Sequence, residues 1–180
     1  MGIPSTQVYA LDVSPELWNL GLELFNDTSE PPAKFIHADA RTHDSSSFLT
    51  HPSLLPLTGK IDVILLSHFL DLFHWSDQMQ VGVTIAFLSR VGSQAMGCMR
   101  GTRGKTLDCE SMGGWYSQSM VHDVLSLKML WYDIGKFTET QWNVEASMVE
   151  PREWGWEDEE VKWMSVEPPM GIWFIASRES

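Results

Sequence analysis

Apolar residues along the chain fall into short runs separated by stretches of helical spacing. Val8-Tyr9-Ala10-Leu11-Asp12-Val13 is an apolar run ending in an acid, and it predicts a strand. Ser14-Pro15-Glu16 predicts a helix start, with Ser14 as N-cap, proline at the first helical position and an acid in the first turn. Leu17, Leu20 and Leu24 then recur at helical spacing through Phe25. A polar, proline-containing loop over 26–33 leads to a second strand, Lys34–Ala38, which ends at Asp39-Ala40-Arg41. Residues 42–60, rich in Ser, Thr, His and Pro, predict a loop with one helical turn near Phe48. Ile61–Leu66 is almost continuously apolar, as a parallel strand covered on both faces would be. After Ser67 comes a helix with Met79, Val83, Ala86 and Phe87 on one face, closed by Gly92. Ser93–Met99 is the next strand, and Gly101-Thr102-Arg103-Gly104 a loop.

In the last third, Ser119 is the expected cap of a helix on which Met120, Val124, Leu127, Trp131 and Ile134 share a face, with Gly135 as its stop. Gln141–Glu150 alternates as a strand, with Trp142, Val144, Ala146 and Met148 on one side. An acidic, Trp-rich connection runs to Trp163, and Gly171–Ala176 is a final apolar strand. Strands alternating with helices, then two terminal strands, predict a three-layer α/β architecture. The first four strands are expected to be parallel, and the last two to include an antiparallel member. There is no internal repeat, and residues 1–180 are expected to form one domain.

Charge narrows the partners. A formal net charge of -12 argues against nucleic acid and anionic membranes, since no Lys/Arg cluster is available to neutralise phosphates. A small neutral ligand or another protein fits better, and no apolar run reaches the length of a membrane span. The two cysteines, Cys98 and Cys109, make no disulfide framework, and the N-terminus lacks the basic and apolar regions of a signal peptide, so a reduced, cytoplasmic setting is expected. Seven of the nine tryptophans follow residue 114, which predicts an apolar pocket or a subunit interface in that half.

Val8–Ser14, then His37-Ala38-Asp39-Ala40, then Ile61-Asp62-Val63-Ile64 with Ser67-His68-Phe69-Leu70, resemble the second, third and fourth motifs of class I S-adenosylmethionine-dependent methyltransferases. Gly92-Ser93, His122-Asp123 and the Gly135…Thr138…Thr140…Trp142 ending resemble, more narrowly, methyltransferases of fungal terpenoid and polyketide pathways. The resemblance implies a Rossmann-like methyltransferase fold without its first strand and helix. It also implies that Asp12 and Val13 meet the ribose, and Asp39 and Ala40 the adenine, as vestiges of a cofactor site. The glycine-rich turn that holds the cofactor's methionine end is not found before Val8. An acid after a strand is also an ordinary loop or cap residue, so the structural reading of Asp12 and Asp39 stays open.

In such a sheet, ligands bind beyond the carboxyl ends of the strands. Ser67, His68, Asp71, His74 and Trp75 after one strand, and Met99 and Arg100 after the next, are therefore expected to face a cavity. Trp115, Tyr116 and Trp131 are expected as its aromatic walls, and His122 and Asp123 lie at the start of a helix. His68, Arg100 and His122 are the candidate catalytic groups, able to relay a proton or polarise a carbonyl. Against this, His68 could cap the segment after it, His74 could sit at the surface, and Arg100 and Arg103 could simply balance nearby acids. His37-x-Asp39-x3-His43 is not a recognised ligand spacing, so no metal is expected.

Two adenosine-side acids without a glycine turn predict weak cofactor binding and loss of methyl transfer. The favoured expectation is a cofactor-independent cyclase or isomerase, with a pericyclic step among its options, acting on a neutral terpenoid or polyketide and assembled as a homodimer. The alternatives are an O- or C-methyltransferase using S-adenosylmethionine, and a non-catalytic subunit.

Overall fold

The computed structural model describes residues 3–25, 33–41, 51–103, 107–108, 119–157 and 170–180. These divide into two compact units, Met1–Pro56 and Leu57–Ser180.

In the first unit, β1 (Tyr9–Asp12) and β2 (Lys34–His37) form a parallel pair, with Tyr9 opposite Lys34 and Asp12 opposite His37. Helix α1 (Pro15–Leu24) starts as its sequence predicts. The Ser14 hydroxyl accepts the Leu17 N–H at 3.2 Å, and Pro15 occupies the first turn, where its missing N–H costs nothing. Trp18 stacks on Phe35 with ring centroids 5.5 Å apart, tying α1 to β2. No residue of α1 is buried, and Leu17, Leu20 and Leu24 remain exposed. The turn expected near Phe48 lies outside the described residues, whereas a short 3-10 helix spans Leu55–Leu57.

The second unit is built on a four-stranded sheet in the order β3 (Ile61–Leu65), β4 (Ser89–Gly101), β8 (Met170–Arg178) and β7 (Trp142–Val149). β3 and β4 are parallel, and β8 runs antiparallel to both of its neighbours. A second, two-stranded pair joins β5 (Leu107–Asp108) to β6 (Met120–Val121). Helices α2 (Trp75–Leu88) and α3 (Val124–Thr138) pack on each other, and α3 packs on β7. Their shared core holds Val81, Ile85, Leu127, Leu130, Trp131 and Ile134 against Ile172 and Phe174 of β8. Gly82 permits this approach, because a β-carbon there would run into the Ile134 side chain.

Four sequence expectations are corrected. Helix α2 does not run to Gly92; it ends at Leu88, and β4 begins at once. The Arg178 guanidinium donates to the carbonyls of Ala86 (2.7 Å) and Ser89 (2.8 Å), closing the helix. Gly92 instead takes a positive φ of 88° inside β4, where the register with β3 shifts. Nor is Ser119 the cap of α3. Asp123 is, in a reciprocal capping box with Ser126. Gly135 is not the stop either: α3 continues to Thr138, and Gly135 makes room for the returning Thr140 carbonyl, 2.7 Å from where its β-carbon would be. The Ile61–Leu66 run, expected to be covered on both faces, leaves Val63 49% and Leu65 73% exposed, and among the described residues it pairs only with β4.

Candidate functional site

In the second unit, β3 and β4 end side by side. Beyond β3, the Leu66 N–H donates to the Met96 carbonyl (2.9 Å) and the His68 N–H to the Cys98 carbonyl (2.7 Å). His68 then turns with φ 50°, a left-handed conformation uncommon outside glycine and one that often marks a functional site. Its half-exposed ring lies parallel to that of Trp156, at a centroid distance of 6.3 Å.

A short 3-10 helix, Leu70–Leu72, carries Asp71 into the interior, where it is 2% exposed. Asp71 Oδ2 accepts from the Arg100 backbone N–H (3.2 Å) and from Arg100 Nε (3.0 Å). Arg100 Nη2 donates to the Asp71 carbonyl (2.8 Å) and to the Ser119 hydroxyl (3.1 Å). His68 Nδ1 stands 3.8 Å from Asp71 Oδ2, beyond hydrogen-bond range but near enough for charge to act. Burial pushes the Asp71 pKa up, yet His68 and the Arg100 guanidinium together outweigh it and hold the carboxyl below its usual value. Among the described residues, Asp71 Oδ1 is buried without a partner.

Behind this pair is a second polar group that the sequence reading put in the cavity. His122 is completely buried. Gln78 donates its amide to the Phe73 carbonyl (2.9 Å), so its oxygen faces His122 Nε2 at 2.7 Å and fixes the proton on that nitrogen. His122 Nδ1 then accepts from the Ser126 hydroxyl at 3.0 Å. Burial, only partly opposed by Asp123 and Asp71, pushes the His122 pKa down to about 4 and keeps the ring neutral.

The candidates therefore separate. His68, Asp71 and Arg100 come together, with Ser67 exposed beside them and His74 and Trp75 half-buried at the start of α2. Trp75 lies against His122, 5.9 Å between centroids, and Asp123 caps α3. Arg100 and His122 do not present themselves to a ligand. One is ion-paired with Asp71, and the other has both nitrogens engaged within the fold. Met99 and Trp131 also differ from expectation, since both are fully buried: Met99 is opposite Ile172 within the sheet, and Trp131 packs on Trp142 and Phe174. Trp115 and Tyr116 lie outside the described residues. Gln78 and Trp156 were missed. Gln78 had a signal, since with Val81, Gly82 and Ile85 it shares the buried stripe of α2.

In the first unit, Asp12 is the last residue of β1 and Val13 follows it, while Asp39 and Ala40 lie just beyond the carboxyl end of β2. Asp12 Oδ1 accepts the Ser14 N–H (2.8 Å), which leaves the exposed carboxylate further acceptor capacity. The Val13 carbonyl receives His37 Nε2 at 3.1 Å. Asp39 is held by the Arg41 backbone N–H and its guanidinium (2.7 to 3.2 Å), and Ala40 is buried. Among all the described residues, no three His, Cys, Asp or Glu side chains converge to hold a metal, and no described helix is long and apolar enough to cross a membrane.

The same architecture is found in S-adenosylmethionine-dependent enzymes of known structure. Phosphoethanolamine N-methyltransferase 2 of Haemonchus contortus, solved with S-adenosyl-L-methionine, superposes with a TM-score of 0.60 over 96% of this chain and 43% of that one, at 11% identity. The fold is that of the class I methyltransferases. A second protein with this methyltransferase fold, the 1,6-didemethyltoxoflavin-N1-methyltransferase of Burkholderia thailandensis with bound S-adenosylhomocysteine, gives 0.58 over 97% of this chain and 62% of its own, at 12% identity. In sequence, the methyltransferase-fold chain is 32% identical over 152 residues to an O-methyltransferase of Stereocaulon alpinum, covering 82% of this chain and 41% of that protein. It is 30% identical over 188 residues to a methyltransferase of Aspergillus terreus, covering 98% and 58% respectively. The chain thus spans about half the length of the curated relatives it matches. No family model matches it.

Proposed function

We propose that this chain serves S-adenosylmethionine-dependent O-methylation of a terpenoid or polyketide in fungal natural-product biosynthesis. The reading takes residues 1–180 as one methyltransferase-like domain. Its main support is the likeness to an O-methyltransferase over 82% of the chain. The commitment of Arg100 and His122 to internal partners adds to it, because it removes two of the three polar groups on which cyclisation without a cofactor relied.

The cofactor supplies an electrophilic methyl group. In the first unit, Asp12 receives the ribose hydroxyls, and Asp39 and Ala40 border the adenine. Cofactor binding is expected to depend on Asp12. In the second unit, His68 is the acceptor-side base. Its Nδ1 is turned to Asp71, so Nε2 takes the proton from the acceptor hydroxyl, with Trp156 beside the ring as an apolar wall. Arg100 holds Asp71 in place and is a positioning residue.

Incubation with methyl-labelled S-adenosylmethionine and an aromatic polyketide bearing hydroxyl groups tests this by mass. A product heavier by one labelled methyl group, formed about 10²-fold more slowly by His68→Ala, is the expected result. An isomer of unchanged mass would overturn it in favour of cyclisation. The reading also includes a homodimer that covers Val63 and Leu65 of the one-sided edge strand β3. A monomer in light scattering at micromolar concentration would remove that part.

A further inference from the structure

At the other end of the four-stranded sheet, a cleft of about 770 Å³ lies between α3 and the start of β7. β4 reaches Arg100 at one end, while Trp142 of β7 is level with Arg178 of β8, just past the Ser177–Gln94 pair. At about 3.3 Å per residue, the cleft is therefore roughly 20 Å from the His68 group. Lys128, Trp131, Tyr132, Lys136 and Glu139 line it from α3 and its C-cap, at spacings that put them on one helix face. The opposite wall is Trp142. Its Nε1 donates to Thr140 Oγ1 (2.7 Å), which in turn meets Thr138 Oγ1 (2.8 Å), so the Gly135…Thr138…Thr140…Trp142 segment singled out in the sequence is a device that fixes this indole. Trp131 and Trp142 stand 4.9 Å apart.

The lining is chemically distinctive for so acidic a chain. Two lysines face the cleft, neither paired with a carboxylate among the described residues, and Lys136 Nζ lies 5.5 Å from the Tyr132 ring centre. Among the described residues, Trp131 Nε1 is a buried donor without an acceptor. A cleft of this size, walled by the exposed Tyr132 and the half-buried Trp142, suits a planar ring, and two unpaired ammonium groups call for an anion. Glu139 and the carboxyl end of α3 repel negative charge, which directs the anionic group towards Lys128.

We propose that this cleft is a second ligand site, separate from the methyl-transfer site, that binds an aryl carboxylate. Calorimetry on the full chain at low ionic strength, with 2-naphthoate as probe and 2-naphthalenemethanol as its neutral counterpart, tests the assignment. Saturable one-site binding of naphthoate is expected, weakened at least about fivefold in the K128Q/K136Q double variant and also in Tyr132→Ala. All three side chains are exposed, so these variants keep the fold. His68→Ala should bind the probe like the parent. Absence of saturable binding, equal binding of acid and alcohol, insensitivity to the lysine changes, or loss of binding in His68→Ala would each overturn the proposal. The last outcome would place the probe at the His68 group and leave the methyl-transfer reading standing.

Discussion

Asp71 and Arg100 are two buried charges, each dependent on the other. Their mutual attraction roughly offsets the cost of removing both from water, but loss of one strands its partner. Arg100→Ala is therefore expected to destabilise the second unit by about 3–5 kcal/mol in urea unfolding, with little change in the m-value. The neutral His122 acts in a different pH window. Its folded pKa of about 4 lies below the 6.5 that is ordinary for histidine. As pH falls from about 6.5 to 4, the unfolded chain takes up a proton that the folded one refuses, and stability drops by on the order of 3 kcal/mol, then levels off. His122→Gln should flatten that slope. Asp71 has a lowered pKa, so its stabilising contribution, present above the unfolded value, is lost only at more acid pH, as the folded carboxyl is protonated. Urea titrations of parent and His122→Gln at a series of pH values separate the two groups.

Elements meet where small residues let them. Gly82→Ala would ordinarily stabilise a helix by about 1 kcal/mol. Here the added methyl group would overlap the Ile134 side chain, and overpacking costs about 1–3 kcal/mol. A net loss is expected, largely relieved in the Gly82→Ala/Ile134→Ala pair, and a double-mutant cycle by thermal unfolding measures that coupling. The same local detail explains what the sequence made legible. β7 was readable because Trp142, Val144, Ala146 and Met148 alternate with polar residues, and α1 because Ser14-Pro15-Glu16 is an unambiguous start. The start of α3 was not, since Ser119 and Asp123 are both good caps, and Ser119 is instead engaged by Arg100, just ahead of β6. Gly92 and Gly135 carry the usual signature of a helix end, yet one serves a strand bulge and the other a close backbone approach. For the site, strand order found His68, Asp71 and Arg100. It could not tell which of them turns outward, because that depends on the left-handed turn at His68 and on the Asp71–Arg100 ion pair.

For the molecule as a whole, the net charge of -12 makes self-repulsion a general term. Raising ionic strength from low salt to physiological levels should increase Tm in scanning calorimetry. A fall would mean that exposed pairs such as Arg90–Asp62 and Arg103–Glu150 outweigh the repulsion. Sheet order has a consequence in time. β8 follows β7 in sequence, yet it lies between β4 and β7, and among the described residues it is the one strand with which β7 pairs. On a ribosome, β7 must wait unpaired until Met170–Arg178 has emerged, and the β4–β8 ladder then closes a loop of 83 residues between Gln94 and Ser177. Such distant closure slows folding and prolongs the exposure of strand edges. Ile172→Pro, which removes a ladder donor in mid-sheet, is expected to abolish cooperative unfolding of the second unit by circular dichroism, not merely to lower its midpoint. The nascent protein is thus most prone to aggregate just before its synthesis reaches β8, and it depends then on whatever chaperone shields the waiting strand.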